Sequence, residues 1–277
     1  MRGDVARRFD AMAGSYDELE PWYEHLYAVL HAILHRELAP PTDGRRRRAL
    51  DAGCGTGFQA ARLAALGYES HGVDVAAGLV AVARRRVDRA ALASVEALPY
   101  RAAVFDAVTC CGSTLSFVDD PARALREIGR VLRPGGLLLL ECEHRWSLDL
   151  AWALLSGLTG DSLGYGLSAR DAWRVIFRPP RQGAVVAYPG YGPLRLFTVA
   201  ELRRLLADGG LALARTWGIH TVTNLIPSTT LHRARLARPL AALYRPLRAL
   251  DAALSGWAPA RRLANSVVVL ARKPAAL

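Results

Sequence analysis

The chain has 277 residues, a formal net charge of +11 and a hydrophobic fraction of 52%. This length is enough to bury a large core in one elaborated domain or in two. No apolar run reaches the roughly 18 residues that a membrane span needs, and MRGDVARRFDAM at the N-terminus lacks the apolar core of a secretory signal. We therefore expect a soluble, cytoplasmic protein. Because Lys273 is the only lysine, the positive charge is nearly all arginine, a compositional bias that weakens charge as evidence for a nucleic-acid partner.

The cysteines indicate neither a metal centre nor a disulfide framework. Cys54, Cys110, Cys111 and Cys142 show no C-x-x-C spacing. In the stretch E-C-E-H, Cys142 and His144 stand two residues apart, but a zinc site usually needs three or four ligands and no second pair follows. We therefore expect no bound metal.

The N-terminal part predicts one long helix followed by a linker. PWYEHLYAVLHAILHREL begins with Pro21 and carries apolar residues at helical spacing, and Pro40-Pro41 ends the pattern. Arg45 to Arg48 follow in a polar stretch, which we interpret as a solvated lead-in to a strand rather than a binding patch.

From residue 47 onwards, buried strands and amphipathic helices alternate along the chain. Strands are predicted at ALDAG, at YESHGVDV, near 91–95, at FDAVTCC (105–111) and at GGLLLLECE (135–143), with helices near 57–66, at AAGLVAVARRRVDRA and at DPARALREIGRVL (120–132). Strands that alternate with helices predict right-handed β-α-β crossovers and a parallel sheet.

Beyond this alternating region the pattern changes. Residues 145–197 are rich in aromatic residues, Gly and Pro, with a predicted helix at 146–158. The helix TVAELRRLLADGG then has Thr198 and Glu201 at the spacing of a capping box. Two further strands are predicted, at 211–219 and 265–274. The roughly 45 residues between them are more than a simple hairpin loop usually has.

A glycine-rich loop follows the first predicted strand, in LDAGCGTGFQA. Its G-T-G-F-Q-A part fits the dinucleotide fingerprint G-x-G-x-x-G/A. Read from Asp51, the same loop is D-x-G-x-G-x-G, which is expected where a loop wraps S-adenosylmethionine. Both interpretations need an acid after the second strand to accept hydrogen bonds from ribose hydroxyls, and Asp74 supplies it. The loop alone leaves a hydride-transfer enzyme and a methyltransferase open.

Three other features favour the second interpretation. E-A-L-P-Y at 96–100 precedes F-D-A-V, REIGRVLRPGGLLLLE occupies 126–141, and RFDAMAGSYDEL lies upstream. In this order and spacing the set resembles the class I S-adenosylmethionine-dependent methyltransferases, in particular the ubiquinone/menaquinone-biosynthesis-type and related small-molecule enzymes. The resemblance covers residues 4–20 and about 48–143, and more loosely 197–219 and 264–273.

The resemblance implies an α/β fold of the Rossmann-like class I type, with a seven-stranded, mostly parallel sheet and helices on both faces. It also implies a division of the chain into four parts. These are an N-terminal helical lid at 1–45, the core that binds S-adenosylmethionine at 46–144, a substrate cap at 145–197, and the rest of the core at 198–277 with a basic helical insertion at about 220–264.

The same resemblance implies where the cofactor lies. Asp74 would hold the ribose, with Val75 against the adenine. In many relatives the adenine segment reads D-A-E-x-L-P, whereas this chain has Ser94, Val95 and Glu96 there, so either Ser94 bonds more weakly or Glu96 substitutes. The residues that would surround the methionine part are Asp51, Ala52, Gly53, Gly55, Gly57, Cys111, Gly112 and Ser113. Tyr16 is a candidate lid contact to the cofactor carboxylate, or packs onto the fold.

Methyl transfer to oxygen or carbon also needs a base that removes a proton. His144 follows the fifth strand, where ligands bind in open α/β sheets, and His220 follows the sixth. For both, a structural role is the competing interpretation. Glu141 and Glu143 are weaker candidates.

The acceptor is predicted from the insertions. Cys-Cys-Gly-Ser-Thr stands after the fourth strand, where base-directed amino-methyltransferases usually carry D/N-P-P-Y/F, so a nucleic-acid acceptor is not expected. Residues 145–197 supply aromatic side chains for a lid over a lipophilic or aromatic small molecule, or for an ordinary core. These aromatic residues are Trp146, Trp152, Tyr165, Trp173, Phe177, Tyr188, Tyr191 and Phe197.

The segment TLHRARLARPLAALYRPLRAL combines a leucine stripe with five arginines and has no acid between residues 231 and 250. It would contact an anionic membrane surface or an acidic acceptor, or form a solvated cap. Pro239 and Pro246 predict two short helices rather than one.

The sequence thus predicts transfer of a methyl group from S-adenosylmethionine, with S-adenosylhomocysteine as product, to carbon or oxygen of a lipophilic or aromatic small molecule. The alternatives are an RNA-directed methyltransferase and a non-catalytic nucleotide-binding protein.

Overall fold

The computed structural model describes residues 2–14, 16–17, 20–159, 163–164, 167–177, 184–188 and 191–275. Its helices are α1 (Arg2–Met12), α2 (Pro21–Leu38), α3 (Phe58–Ala65), α4 (Ala77–Ala83), α5 (Thr114–Phe117), α6 (Pro121–Val131), α7 (Leu148–Thr159), α8 (Ala169–Phe177), α9 (Val199–Asp208), α10 (Ser228–Leu231), α11 (Arg238–Leu254) and α12 (Ala258–Leu263), with a 3-10 turn at Thr223–Leu225. Its strands are β1 (Arg48–Ala52), β2 (Glu69–Asp74), β3 (Arg89–Leu92), β4 (Phe105–Cys110), β5 (Leu132–Glu143), β6 (Ala184–Tyr188), β7 (Gly192–Leu196), β8 (Ala212–Ile219) and β9 (Ser266–Arg272).

Seven strands form one sheet in the order β3-β2-β1-β4-β5-β9-β8. β1 pairs in parallel with β2 and β4, and β4 with β5, whereas β9 runs antiparallel to both β5 and β8. This is the mostly parallel, Rossmann-like sheet that the alternating sequence predicts. The central strands β5 and β9 carry the apolar runs LLLL and VVVLA, as expected where helices cover both faces of a sheet.

Each face of the sheet has its own core. On one face α6 and α9 pack onto the strands, with Phe105, Leu125 and Leu202 fully buried. On the other face α2 and α3 pack over the sheet, with Leu30 and Leu63 fully buried. The carboxyl ends of the parallel strands are left open between these layers, which is where open α/β sheets bind ligands.

The third strand differs from its prediction. It spans Arg89–Leu92 rather than the residues near 91–95, and α4 ends at Ala83. The bounds of β3 are set by its pairing with β2, in which Arg89 lies opposite His71 and Leu92 opposite Asp74. The three arginines after Ala83 therefore belong to a turn and not to the helix.

The prediction of two short helices around Pro239 and Pro246 is wrong. Pro239 lies in the first turn of α11, where its missing N–H costs nothing, and α11 continues through Pro246. Ala242, whose carbonyl loses its usual partner at Pro246, is exposed, and so is Pro246. Water can therefore replace the lost hydrogen bond.

The 145–197 insertion builds a small layer of its own. The helices α7 and α8 pack against the β6–β7 hairpin, burying Ala153, Ala172, Val186 and Leu194. The predicted helix at 146–158 corresponds to α7. Tyr165 and the side chain of Tyr188 lie outside the described residues.

Within the described ranges, no helix combines the length and the apolar character that crossing a membrane requires.

Candidate functional site

Two adjoining cavities lie at the carboxyl ends of β1, β2 and β4. The first holds about 840 Å³ of empty space, part of it open to solvent, and is bounded by the glycine loop, by the ends of β2 and β4, and by α1. Ten of the predicted cofactor residues line it: Tyr16, Gly53, Gly55, Asp74, Val75, Ser94, Val95, Glu96, Cys111 and Gly112.

The glycine loop brings backbone to the wall of this first cavity. Gly53 and Gly55 have φ values of +82° and +51°, in the left-handed region that favours glycine. A Cβ at Gly53 would lie 2.3 Å from the Thr114 side chain, and one at Gly55 would lie 3.4 Å from the Tyr16 ring. A side chain at Gly53 would therefore collide with Thr114, and one at Gly55 would press on the Tyr16 ring beside the cavity.

Asp74 ties the loop to the end of β2. Its Oδ2 accepts a hydrogen bond from the backbone N–H of Gly55 at 2.9 Å, and its Oδ1 accepts one from Ala76 at 2.9 Å. Burial raises the pKa of the carboxyl, while these N–H groups oppose the rise. Each oxygen retains a second acceptor site, so the side chain can also accept ribose hydroxyls.

Asp51, Ala52 and Gly57 shape the loop from behind, and none of the three is among the described residues that line the first cavity. Asp51 is buried, and its carboxylate accepts hydrogen bonds from Ala60 N–H at 3.0 Å and from the Thr109 hydroxyl at 2.8 Å. Burial raises the pKa of Asp51 to about 7. A Cβ at Gly57 would lie 3.3 Å from Ala83, so this glycine allows α3 and α4 to pack closely.

The segment predicted to contact adenine is held by its own hydrogen bonds. Glu96 accepts the backbone N–H of Asp120 at 2.8 Å, and its other oxygen lies 3.5 Å from the Ser94 hydroxyl. Ser94 in turn accepts the backbone N–H of Glu96 at 3.2 Å. The side chains of Ser94 and Glu96 both border the first cavity. Both residues that were predicted to substitute for the usual Asp therefore lie at this site.

The N-terminal segment covers the first cavity. Val5, Phe9 and Tyr16 line it. Asp17 fastens this segment to the loop, because it accepts hydrogen bonds from the Thr56 hydroxyl at 2.6 Å and from Arg86. Burial and the nearby Asp74 raise the pKa of Tyr16, so its phenol stays protonated.

A second cavity, with about 410 Å³ of empty space that is partly open to solvent, adjoins the first. Five residues border both: Phe9, Tyr16, Tyr27, Gly112 and Phe117. The others around the second cavity are Trp22, Tyr23, Ser113, Glu143, Tyr191, Leu194 and His232. The two spaces are therefore separated by shared aromatic side chains and not by a layer of core.

Two carboxyl groups meet at Ser113, on the border of the second cavity. The Ser113 N–H donates to Glu141 Oε2 at 2.8 Å, and its hydroxyl donates to Glu143 Oε1 at 3.0 Å. Burial raises the pKa of Glu141 to about 7. Burial and the neighbouring Glu141 raise the pKa of Glu143 well above its ordinary value.

The structure does not bring the two predicted histidine bases to a described cavity wall. His144 is buried, and its Nδ1 lies 3.1 Å from the Ala264 carbonyl oxygen. His220 is buried behind Trp22, with its Nδ1 2.9 Å from the Thr223 hydroxyl. Burial lowers the pKa of both rings. Both positions match the structural interpretation, because the chain after β5 and β8 turns into the packed insertions.

The aromatic walls come mostly from elements that sequence reasoning did not assign to the site. Tyr191 is the one predicted lid aromatic that borders the described second cavity. Trp146, Trp173 and Phe177 are exposed, and Phe197 is buried in the main core. Instead, α2 supplies Trp22, Tyr23 and Tyr27. In the sequence, Tyr23 and Tyr27 stand one helical turn apart, and this spacing indicates that both lie on the same side of α2.

A family model described as a methyltransferase domain matches residues 50–140. Over 237 residues the chain is 30% identical to the malonyl-[acyl-carrier protein] O-methyltransferase of Enterobacter lignolyticus, covering 83% of this chain and 84% of that one. The chain belongs to the class I S-adenosylmethionine-dependent methyltransferases.

Other members of this family are similar over a shorter stretch. The ubiquinone biosynthesis O-methyltransferase of Methylocella silvestris is 34% identical, covering 53% of this chain and 58% of the relative. The demethylmenaquinone methyltransferase of Clavibacter sepedonicus is 31% identical, covering 52% and 62%. The chain thus spans less than two thirds of the length of either of these two relatives.

Solved methyltransferases share the fold. An S-adenosylmethionine-dependent methyltransferase of Thermotoga maritima superposes with a TM-score of 0.57 at 20% identity, covering 97% of this chain and 99% of that one. The 1,6-didemethyltoxoflavin-N1-methyltransferase of Burkholderia thailandensis, a structure with bound S-adenosylhomocysteine, has a TM-score of 0.53 at 21% identity, covering 98% and 88%. These likenesses bear on architecture alone.

Proposed function

We propose that this chain transfers the methyl group of S-adenosylmethionine to carbon or oxygen of a lipophilic or aromatic small molecule. The observation that carries the proposal is the direct adjacency of the two cavities. One has an acid at the end of β2 and a glycine loop, and the other has aromatic walls. Methyl transfer needs a donor site and an acceptor site in contact, with water excluded between them.

The residues of the first cavity fit the cofactor. Gly53 and Gly55 both line this cavity and place no side chain between the loop backbone and a ligand. Asp74 would accept hydrogen bonds from the ribose hydroxyls, and Val75 with the 94–96 segment would hold the adenine. When bound, S-adenosylmethionine supplies a methyl group on a positively charged sulfur. Tyr16, Phe9 and Tyr27 would exclude water from that end of the site.

The acceptor side supports a flat, apolar molecule. Trp22, Tyr23, Tyr27 and Phe117 present rings to the second cavity, and its polar groups are those of Ser113, Glu143 and His232. Aromatic rings of this kind bind planar ligands by stacking and edge contacts. Relatives named for ubiquinone biosynthesis and for demethylmenaquinone support an acceptor of the same character.

The assay that tests this proposal offers the protein two acceptor sources. Purified protein is incubated with S-adenosylmethionine labelled at the methyl group, together with either a lipid and quinone extract or total RNA. We expect label in the organic phase. Label that enters RNA alone would overturn the small-molecule acceptor, and failure to bind S-adenosylhomocysteine would overturn the methyltransferase activity itself.

We further propose that the 231–250 segment contacts an anionic membrane surface, from which a lipophilic acceptor would be drawn. Tyr244 is buried against α2, whereas Leu243 and Leu250, two turns apart on α11, are 53% and 48% exposed. Arg238 and Arg245 are exposed on the same helix. Exposed leucines beside exposed positive charge suit the interface of an anionic bilayer.

A further inference from the structure

We infer that Glu143 is the group that accepts the acceptor's proton, and that the second cavity takes a neutral ring bearing a phenolic or enolic hydroxyl. This inference rests on the proposed function and goes beyond it, because it names both a catalytic residue and the functional group of the substrate.

Glu143 is anchored on one side and unpaired on the other. Its backbone N–H donates to the Ser116 hydroxyl at 3.2 Å, and its Oε1 accepts the Ser113 hydroxyl at 3.0 Å. Its Oε2 is buried and has no hydrogen-bond partner among the described residues, although the side chain borders the second cavity. A buried carboxyl oxygen without a hydrogen-bond donor costs free energy, unless a bound ligand supplies the donor.

Ser113 fixes the direction of this carboxyl. It has a φ of +58°, a left-handed conformation that a residue with a side chain rarely adopts. In this conformation its N–H meets Glu141 and its hydroxyl meets Glu143. A strained backbone conformation of this kind persists only where surrounding contacts hold it in place, and it is common at active sites.

The charges around Glu143 select a neutral partner. Glu141 lies on the same strand and Asp149 at the start of α7, and both act to raise the Glu143 pKa. The titratable groups across the cavity are Tyr16, Tyr23, Tyr27, Tyr191 and His232, and His232 pairs with Glu20. An acceptor carrying a carboxylate would be repelled by Glu141 and Glu143, whereas a hydroxyl can donate its proton to Oε2.

The rings of the cavity then place that hydroxyl. A planar acceptor held among Trp22, Tyr23 and Phe117 would direct a substituent either toward Glu143 or toward the first cavity. Gly112, which borders both cavities, adds no side chain between them. The proposal places the acceptor oxygen at this border, between Glu143 and the first cavity.

The reaction balances without a further reagent. The hydroxyl proton passes to Glu143 Oε2, and the acceptor oxygen forms the bond to the methyl carbon as the carbon–sulfur bond breaks, its electron pair staying on sulfur. The products are the methyl ether and S-adenosylhomocysteine, and Glu143 returns its proton to solvent when the product leaves. The raised pKa makes the ionised form of Glu143 a stronger base.

The test compares wild type with Glu143→Gln, using 4-butylcatechol as the acceptor probe and 4-butyl-1,2-dimethoxybenzene as a matched ligand without a hydroxyl. Calorimetry on the complex with S-adenosylhomocysteine measures binding of each ligand, and labelled methyl transfer to the catechol is followed against pH. Glu24→Gln, on the exposed side of α2, is the control variant.

We expect wild type to bind the catechol about 10-fold more tightly than the dimethoxy compound, because only the catechol can donate a hydrogen bond to Glu143 Oε2. Glu143→Gln should lower methyl transfer about 100-fold or more and remove its rise with pH, with affinity for S-adenosylhomocysteine within about twofold of wild type. Equal transfer in Glu143→Gln, or no binding of the catechol by a wild type that binds S-adenosylhomocysteine, would overturn the inference.

A second variant covers the case in which Glu143→Gln fails to fold. Glu143→Asp keeps a carboxyl group, and we expect it to retain the rise of transfer with pH at a reduced rate. Loss of that rise in Glu143→Asp while S-adenosylhomocysteine still binds would contradict the role of the carboxyl. If wild type itself fails to bind S-adenosylhomocysteine, the proposed function fails rather than the role of Glu143.

Discussion

The indole ring of Trp22 stacks on the imidazole of His220, with ring centroids 3.6 Å apart and an interplanar angle of 10°. Trp22 borders the second cavity, so His220 lies one ring behind the cavity wall. The stack joins the N-terminal helix α2 to the turn after β8. The excursion between β8 and β9 therefore supplies His232 to the wall of the acceptor cavity, whereas His220 only supports that wall from behind.

Asp251 is the residue that holds this junction. It accepts hydrogen bonds from His25 Nε2 at 2.8 Å and from the backbone N–H groups of Thr221 and Val222 at 2.7 Å each. Burial alone would raise the pKa of Asp251. The hydrogen bond from His25 and the nearby His220 outweigh burial, so the pKa of Asp251 is lowered. We expect Asp251→Ala to cost about 3–5 kcal/mol of unfolding free energy, measured by urea denaturation.

The same carboxylate sets a pH dependence. Because its folded pKa lies below the unfolded value, its contribution is present above the unfolded pKa and is lost as pH falls through the folded pKa. The stability difference between wild type and Asp251→Ala should therefore shrink in acid. A difference that is constant down to the lowest pH at which the protein stays folded would contradict this account.

Gly55 offers a test of the loop. Gly55→Ala places a Cβ 3.4 Å from the Tyr16 ring at a φ of +51°, whereas Gly44 has a φ of +72° and no described atom within 4 Å of its Cβ position. Both alanine variants should lose about 1–2 kcal/mol of stability from backbone strain. Calorimetry should show weakened binding of S-adenosylhomocysteine in Gly55→Ala alone. Equal affinities of the two variants for S-adenosylhomocysteine would show that Gly55 is not part of the cofactor site.

Asp17 tests the cover over the first cavity. Hydrogen bonds from Arg86 and Thr56 lower its pKa, although burial opposes them, so it is ionised at neutral pH. Asp17→Asn should weaken the attachment of the N-terminal segment and speed dissociation of S-adenosylhomocysteine about 10-fold, measured by stopped-flow displacement. Asp4→Asn, an exposed acid on the same segment, serves as the control. An unchanged dissociation rate would show that this ion pair does not retain the ligand.

The exposed leucines of α11 test the membrane proposal. The double variant Leu243→Ser/Leu250→Ser should co-sediment several-fold less with phosphatidylglycerol vesicles than wild type does, and neither should bind phosphatidylcholine vesicles. Leu155→Ser, which changes an exposed leucine of α7, is the matched control. Binding that survives in the double variant would assign any membrane contact to another surface.

Local patterns in the sequence predict the sheet and the donor side of the site. The glycine loop, Asp74 and the segment at 94–96 are encoded in short stretches whose spacing reflects strand–turn–helix geometry, and the structure places them together. The continuity of α11 through Pro246 was not predictable, because it depends on the exposure of Ala242 in the folded chain.

The acceptor side was predicted only in part: Glu143 was a weaker candidate base and Tyr191 a candidate lid residue, whereas Trp22 and His232 were not assigned to the site. Trp22, Glu143, Tyr191 and His232 come from four distant parts of the chain and meet only through tertiary packing. The sequence pattern drew attention to His144 because it follows β5, yet the side chain that borders the cavity belongs to its neighbour, Glu143. Side chains alternate between the two faces of a strand, so a shift of one residue changes which one reaches the site.

The most direct measurement is calorimetry of wild type and Asp74→Ala with S-adenosylhomocysteine and with NAD. We predict that wild type binds S-adenosylhomocysteine and not NAD, and that Asp74→Ala loses about 1–3 kcal/mol of that binding free energy because hydrogen bonds to the ribose are lost. Asp208→Asn, at the exposed end of α9, should bind as wild type does. Binding of NAD in preference to S-adenosylhomocysteine, or undiminished affinity in Asp74→Ala, would contradict the assignment of the first cavity to the methyl donor.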